Sequence, residues 1–339
     1  MSGADRLSRQ RLAIGLLLLS LVFAVAGLAA GSEGWSVGDV MRLLGTPDGD
    51  LIVGQIRAPR TVGAWMAGAL FGLAGAVAQG LFRNPLADPY LLGSASGASL
   101  GVVLVLAAGT LTGHSISLVT ADNLARVGLV SAAFIGALGG ACLTLVLARG
   151  AQQTVRLLLA GVIVGVVLGA ASDMLTTMAP EALRGKQAFM LGSTGFLGWS
   201  NCVVLGVGLL LSVPLAWRLS RALDALTLGE ESALSLGVAV PRIRVMLVSA
   251  LALATGIAVS QVGLIAFVGL VSPHLVRRFA PASHGYNVVA SAAMGGVLLL
   301  AADVLARTLT APQELPVGVL TAVLGGGYLS WLLHRRRIA

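Results

Sequence analysis

Charge is what this sequence has least of. Only 11% of its 339 residues are Asp, Glu, Lys or Arg, where a soluble domain carries about 25%. That scarcity excludes an ordinary soluble domain. Lysine is nearly absent, since Lys186 is the only one. It lies in LRGKQ, outside any G-x-x-x-x-G-K-[ST] phosphate loop, so the chain is not a P-loop ATPase. Cysteine is scarce too. Cys142 and Cys202 sit inside apolar runs with no framework spacing, which implies neither a disulfide nor a metal site. His114, His274, His284 and His334 show no ligand spacing, so no protein-bound metal is expected.

Apolar sequence is what the chain has in abundance, at 57% hydrophobic residues and a mean hydropathy of +0.93. Several runs approach or exceed the roughly 20 apolar residues that cross a bilayer. They are continuous where a transmembrane β-barrel would alternate. The expected fold is therefore an all-α membrane protein, with residues 1–339 forming one transmembrane domain. Ten segments are expected, at 12–31, 62–82, 90–109, 125–148, 155–179, 200–217, 243–262, 264–276, 287–306 and 315–333. The eighth is too short to span and is expected as a half-helix. Arg6, Arg9 and Arg11 before the first run resemble a signal peptide. The run is long for a signal core, so it is taken as a retained first helix.

A net charge of +8 could point to nucleic acid, but the basic residues stand at the ends of apolar segments. Topology explains them better. An even segment count puts both termini on one side, and 15 of the 22 basic residues fall there. The positive-inside bias places that side in the cytoplasm. Arg42, Arg57, Arg60, Arg126, Arg184, Lys186 and Arg307 fall on the other side.

The stretch QGLFRNPLADPYLLGSASGASLG, residues 79–101, interrupts this pattern. Pro85 and Pro89 cannot share one regular helix without loss of backbone hydrogen bonds. Irregular backbone at membrane depth is tolerated only where protein buries it or it lines a watery cavity. A second interrupted element, GLIAFVGLVSPHLVRR, follows the seventh segment. Pro59-Arg60 and Pro241-Arg242 introduce the two halves, segments two to five and seven to ten, which run in opposite directions. Paired interruptions in inverted repeats point to a transport pathway.

The fifth segment carries Gly161, Gly165, Gly169 and Asp173 at a spacing of four. That spacing suits close helix approach, inside the bundle or between two protomers. Asp173 faces either a cavity or the outer headgroups. Asp303 and Arg307, at i and i+4, are expected to form a local pair at the membrane edge. The loop 218–244 is expected to hold short amphipathic helices punctuated by Gly229 and Gly237. Glu230 and Glu231 would meet anionic headgroups unfavourably, which favours a protein partner for that loop.

With these residues in place, the chain resembles the permease family of binding-protein-dependent importers for iron complexes and cobalamin, including the vitamin B12 importer permease. The matching stretches run in order from residue 57 to 326: RAPRTVGAWMAGALFGLAGAVAQGLFRNPLADPYLLGSASGASLG, RLLLAGV, LDALTLGEESALSLGV, GLIAFVGLVSPHLVRR, AADVLAR and QELPVGVLTAVLGG. The resemblance implies a type II ABC importer permease of ten helices in the bacterial inner membrane. It implies a second identical copy, two cytoplasmic ATPase subunits that bind ATP and Mg, and a periplasmic binding protein. The chain itself then binds no cofactor.

By the same resemblance, Glu230, Glu231, Ala233, Leu236 and Gly237 are the ATPase-coupling residues. Arg57, Arg60 and Arg307 hold acidic residues of the binding protein. Asn84, Leu86, Thr154 and Val155 form a cytoplasmic gate, with Gly161, Gly165, Gly169 and Asp173 along the pathway. The final GGGYLSWLL departs from the family, where a proline and an aromatic are usual. The substrate implied is haem or a ferric siderophore, with cobalamin as the alternative. A secondary transporter would need buried carboxylates, and apart from Asp173 the helix centres offer few. A membrane enzyme would need a buried nucleophile or a metal cluster, and the sequence suggests neither.

Overall fold

Without water inside a bilayer, an apolar chain must close its backbone hydrogen bonds within each segment. The computed structural model describes residues 3–31, 34–35, 46–111, 123–148 and 153–336. Among the described residues, ten helices are at least 12 residues long. They are α1 (Gly3–Ala29), α2 (Ala58–Phe82), α3 (Ser94–Leu111), α4 (Asn123–Leu147) and α5 (Thr154–Met178). There follow α6 (Trp199–Thr227), α7 (Val240–Val262), α8 (Val268–Phe279), α9 (His284–Thr308) and α10 (Val317–Arg336). Each overlaps one expected segment. Seven of the helical stretches are long and apolar enough to cross a membrane, while α3 and α10 are apolar but shorter. At 12 residues, α8 has the half length expected of it.

Four features depart from the sequence expectation. The second segment is helical from Pro47, through a wider π-wound stretch Asp50–Arg57, well before residue 62. Helix α6 runs on past residue 217 to Thr227, with Pro214 in its interior. One lost backbone bond is small against 29 helical residues. A short helix Glu181–Leu191 lies between α5 and α6. Finally, Ala30–Gly31 pairs antiparallel with Gly34–Trp35, a small exception to an all-α chain.

Helix α2 is the axle. Of its most apolar 18-residue window 83% is buried, against 72% for α7 and α9, and 22% for α5. Small residues let its neighbours in. A Cβ on Gly72 would lie 2.0 Å from the Ser291 carbonyl oxygen of α9. One on Gly75 would lie 1.6 Å from the Gly269 oxygen at the start of α8. Backbones meet directly there, as small-residue packing in membranes allows.

Both interruptions are built from turn chemistry. After Phe82, Arg83 takes a left-handed conformation (φ 50°), and Asn84 Oδ1 accepts the Leu86 amide at 2.9 Å. Asp88 Oδ1 accepts the Tyr90 amide at 2.8 Å, opening a 3-10 turn Pro89–Leu92 that leads into α3. Pro89 stands first in that turn, where its missing N–H removes no bond. The second interruption runs from Gly263 (φ 72°) to Phe267 (φ 68°). The two touch. The Tyr90 hydroxyl donates to the Ile265 carbonyl at 3.2 Å and lies 3.3 Å from its amide, which can donate back. In each set of four helices, α2–α5 and α7–α10, the second is the shortest, at 18 and 12 residues.

Contacts between distant residues define two ends of the bundle. On the side of the N-terminus, Arg9 meets Pro281 and Tyr286, and Arg83 meets Glu230. On the far side, Arg57 meets Leu28, Lys186 meets Asp173, and Thr194 meets Asp303.

Candidate functional site

The N-terminal side carries the residues expected to couple and gate. Gly229 (φ 108°) and Gly237 (φ 81°) bracket the helix Glu230–Ser235, in left-handed backbone that side chains with a Cβ avoid. Of the five expected coupling residues, Glu231, Leu236 and Gly237 are exposed, together with Leu234. Ala233 is 0% exposed and packs into the core. Glu230 also turns inward, and three other elements meet on it. Its carboxylate pairs with Arg244 of α7. It lies 3.8 Å from the Arg83 guanidinium and 3.4 Å from Thr154 Oγ1, the first residue of α5. Arg244 also donates to Thr154 Oγ1 at 2.9 Å.

The expected gate residues gather at the same end. Asn84 is exposed, yet its side chain is committed to the turn that presents Leu86, 49% exposed. Thr154 faces the Glu230 cluster, while its neighbour Val155 is exposed. Behind the turn, burial pushes the Asp88 carboxyl above the usual carboxylate range, and the bond from Tyr90 N only partly opposes this.

The glycine stripe of α5 does not play one role. A Cβ on Gly161 would lie 2.0 Å from the Leu91 carbonyl oxygen, so α5 packs hard against the first interruption there. Gly165 meets only Ser96 Oγ at 3.8 Å, and nothing lies within 4 Å at Gly169. Four residues exceed one helical turn of 3.6, so a spacing of four drifts round the helix. At the stripe's end Asp173 is exposed and pairs with Lys186 of the helix Glu181–Leu191. The open face of α5 presents Val155, Leu159, Val162, Val166 and Met174.

On the far side, Asp303 is a hub and not merely half of a local pair. It is fully buried, and it accepts from Thr194 Oγ1, from Arg60 Nε at 3.0 Å and from Arg307 Nη2. Arg307 also donates to the Gly27 carbonyl at 3.0 Å and is 3% exposed. Of the three expected docking arginines it is therefore the buried one. Arg60 reaches outward to Glu314 at 2.9 Å, and Arg57 donates to the Leu28 carbonyl at 3.0 Å. Buried charges must be paired in this way.

Sequence reading missed Arg244, Tyr90 and Thr194. Their partners lie between 14 and 175 residues away along the chain, and no local spacing marks them. At the final GGGYLSWLL, Tyr328 stacks edge-on to His274, with ring centroids 5.9 Å apart.

A family model described as the FecCD transport family matches residues 16–335. The chain is 39% identical over 334 residues to the hemin transport system permease protein HmuU of Yersinia pestis, covering 96% of each. It is 36% identical over 328 residues to the vitamin B12 import system permease protein BtuC of Escherichia coli, covering 95% and 94%. It also superposes, at a TM-score of 0.83 and 27% identity, on a solved ABC transporter in an inward-facing conformation assigned to the metal-chelate type. That match covers 96% of this chain and 99% of the other.

Proposed function

Because the chain belongs to the FecCD transport family, we propose that it is the membrane permease of an ATP-driven, binding-protein-dependent importer. Its cargo is an iron complex, haem or a ferric siderophore, moved from periplasm to cytoplasm. The family match over nearly the whole chain carries this reading. The side of the N-terminus is cytoplasmic, in keeping with the 15 basic residues assigned to it. The exposed helix face Glu231, Leu234 and Leu236 receives the ATPase subunits there. Arg57 and Arg60, with Glu314 beside them and Arg307 beneath, receive the binding protein on the periplasmic side. Two copies meet along the apolar face of α5, and the cargo passes between them by alternating access. Charge-assisted contacts at the periplasmic face supply orientation and on-rate more than affinity.

Cobalamin is the second reading, because a B12 import permease is nearly as similar to this chain as a hemin permease is. The test is reconstitution of the chain with its cognate ATPase and binding protein in proteoliposomes. ATP-dependent accumulation of haem or a ferric siderophore, but not of cobalamin, is expected. Accumulation of cobalamin alone would reverse the substrate assignment. Uptake by the permease without ATPase would overturn the importer reading itself.

A further inference from the structure

The Glu230 cluster joins residues from four separate elements of the chain. Arg244 is 2% exposed and sits in the second turn of α7, among the most buried helices of the bundle. From that fixed body its guanidinium reaches two elements at once. One is Glu230, the first residue of a six-residue helix with left-handed glycines on both sides. The other is Thr154, the first residue of α5, whose apolar window is only 22% buried. Thr154 in turn donates to Glu230 at 3.4 Å, so three side chains close a triangle. Arg83 adds a fourth member from the end of α2, where the first interruption begins.

A buried guanidinium holds its partners tightly, because losing either would leave donors unmet away from water. Moving Glu230 either drags the first turn of α5 with it or breaks charge-assisted bonds. We propose that Arg244 is a positioning residue for transport. It converts displacement of the Glu230–Ser235 helix into displacement of the start of α5 beside Leu86 and Val155. This rests on the importer reading above, in which the ATPase acts on that helix.

The test uses the complete complex in proteoliposomes, with three readouts: ATPase retained on purification, ATP hydrolysed, and cargo accumulated per ATP. Arg244→Met keeps the buried volume and removes the donors. It is expected to retain the ATPase and hydrolyse ATP, while accumulating at least 5-fold less cargo per ATP. Thr154→Val and Glu230→Gln leave Arg244 in place and are expected to lower the same ratio 2- to 5-fold. The Arg244→Met/Thr154→Val pair should be no worse than Arg244→Met alone. Arg244→Lys, which keeps the charge, should recover part of the ratio.

Unchanged cargo per ATP in Thr154→Val and Glu230→Gln would overturn the proposal, even if Arg244→Met fails to fold. So would losses in the double variant that multiply as independent effects. A wild-type chain that assembles with no ATPase would instead overturn the importer reading, and this inference with it.

Discussion

Gly75 and Gly169 look alike in sequence, each a glycine in an apolar helix, yet their surroundings are opposite. A Cβ at Gly75 would meet a backbone oxygen at 1.6 Å, and one at Gly169 would meet nothing within 4 Å. Gly75→Ala should cost about 1–3 kcal/mol or prevent assembly, since backbone must move to admit it. Gly169→Ala should be neutral or slightly stabilising, because alanine favours helix by about 1 kcal/mol. Thermal unfolding of both variants in detergent checks the contrast. Asp88 gives a second prediction. Burial raises its pKa, so the folded protein holds this proton to higher pH than the unfolded chain does. Its favourable contribution is full below the usual carboxylate range, near about 3.9, and declines as pH rises toward the folded value. Asn at position 88 keeps an acceptor for the Tyr90 amide and removes that decline. The gain in thermal midpoint for Asp88→Asn over wild type should therefore be larger at pH 8 than at pH 4.

At the scale of elements, most of the architecture was legible. Long apolar runs with polar ends give their approximate span away, and each of the ten expected segments contains a helix. The misses share a cause. The helix Glu181–Leu191 carries Glu181, Arg184 and Lys186, so no hydropathy window could announce it. Its stability comes from tertiary packing of Ala182, Lys186 and Phe189. The i+4 stripe on α5 was visible, but which glycines touch a neighbour depends on how the helix turns against the first interruption. The short helix Glu230–Ser235 also sorts itself only in three dimensions, with Glu230 and Ala233 inward and Glu231, Leu234 and Leu236 outward. Glu231→Arg combined with Leu236→Asp changes only the outward side. It should reduce ATPase co-purification at least 10-fold and leave the thermal midpoint within about 2 °C, as surface changes of roughly 0.5 kcal/mol would. Gly237 is a poorer probe, since any side chain there strains the backbone at φ 81°.

Among the described residues, the molecule divides into a tightly packed body and more open apolar helices, α1 and α5 above all. Helices α2, α7 and α9 form the body, while α5 leaves Val162 and Val166 at 55% and 67% exposed. If two copies meet there, carboxylates at both positions would be buried against each other on closing. Val162→Glu/Val166→Glu should then shift a purified dimer to monomer by light scattering. A matching pair on α1, Leu18→Glu/Val22→Glu, should leave the dimer intact. A dimer that survives on α5 would mean that the copies pair elsewhere.

The contact between Tyr90 and Ile265 bears on how any motion should be measured. A tyrosine oxygen within reach of both polar groups of one residue fastens the two interruptions to each other, whatever the rims do. The Ile265 amide should be among the slowest to exchange with deuterium, and equally slow whether nucleotide is present or absent. Residues 71–82, 89–92 and 263–270 then make a frame on which resting and working forms can be overlaid. Displacements of α5 and of the Glu230–Ser235 helix become readable against that fixed centre.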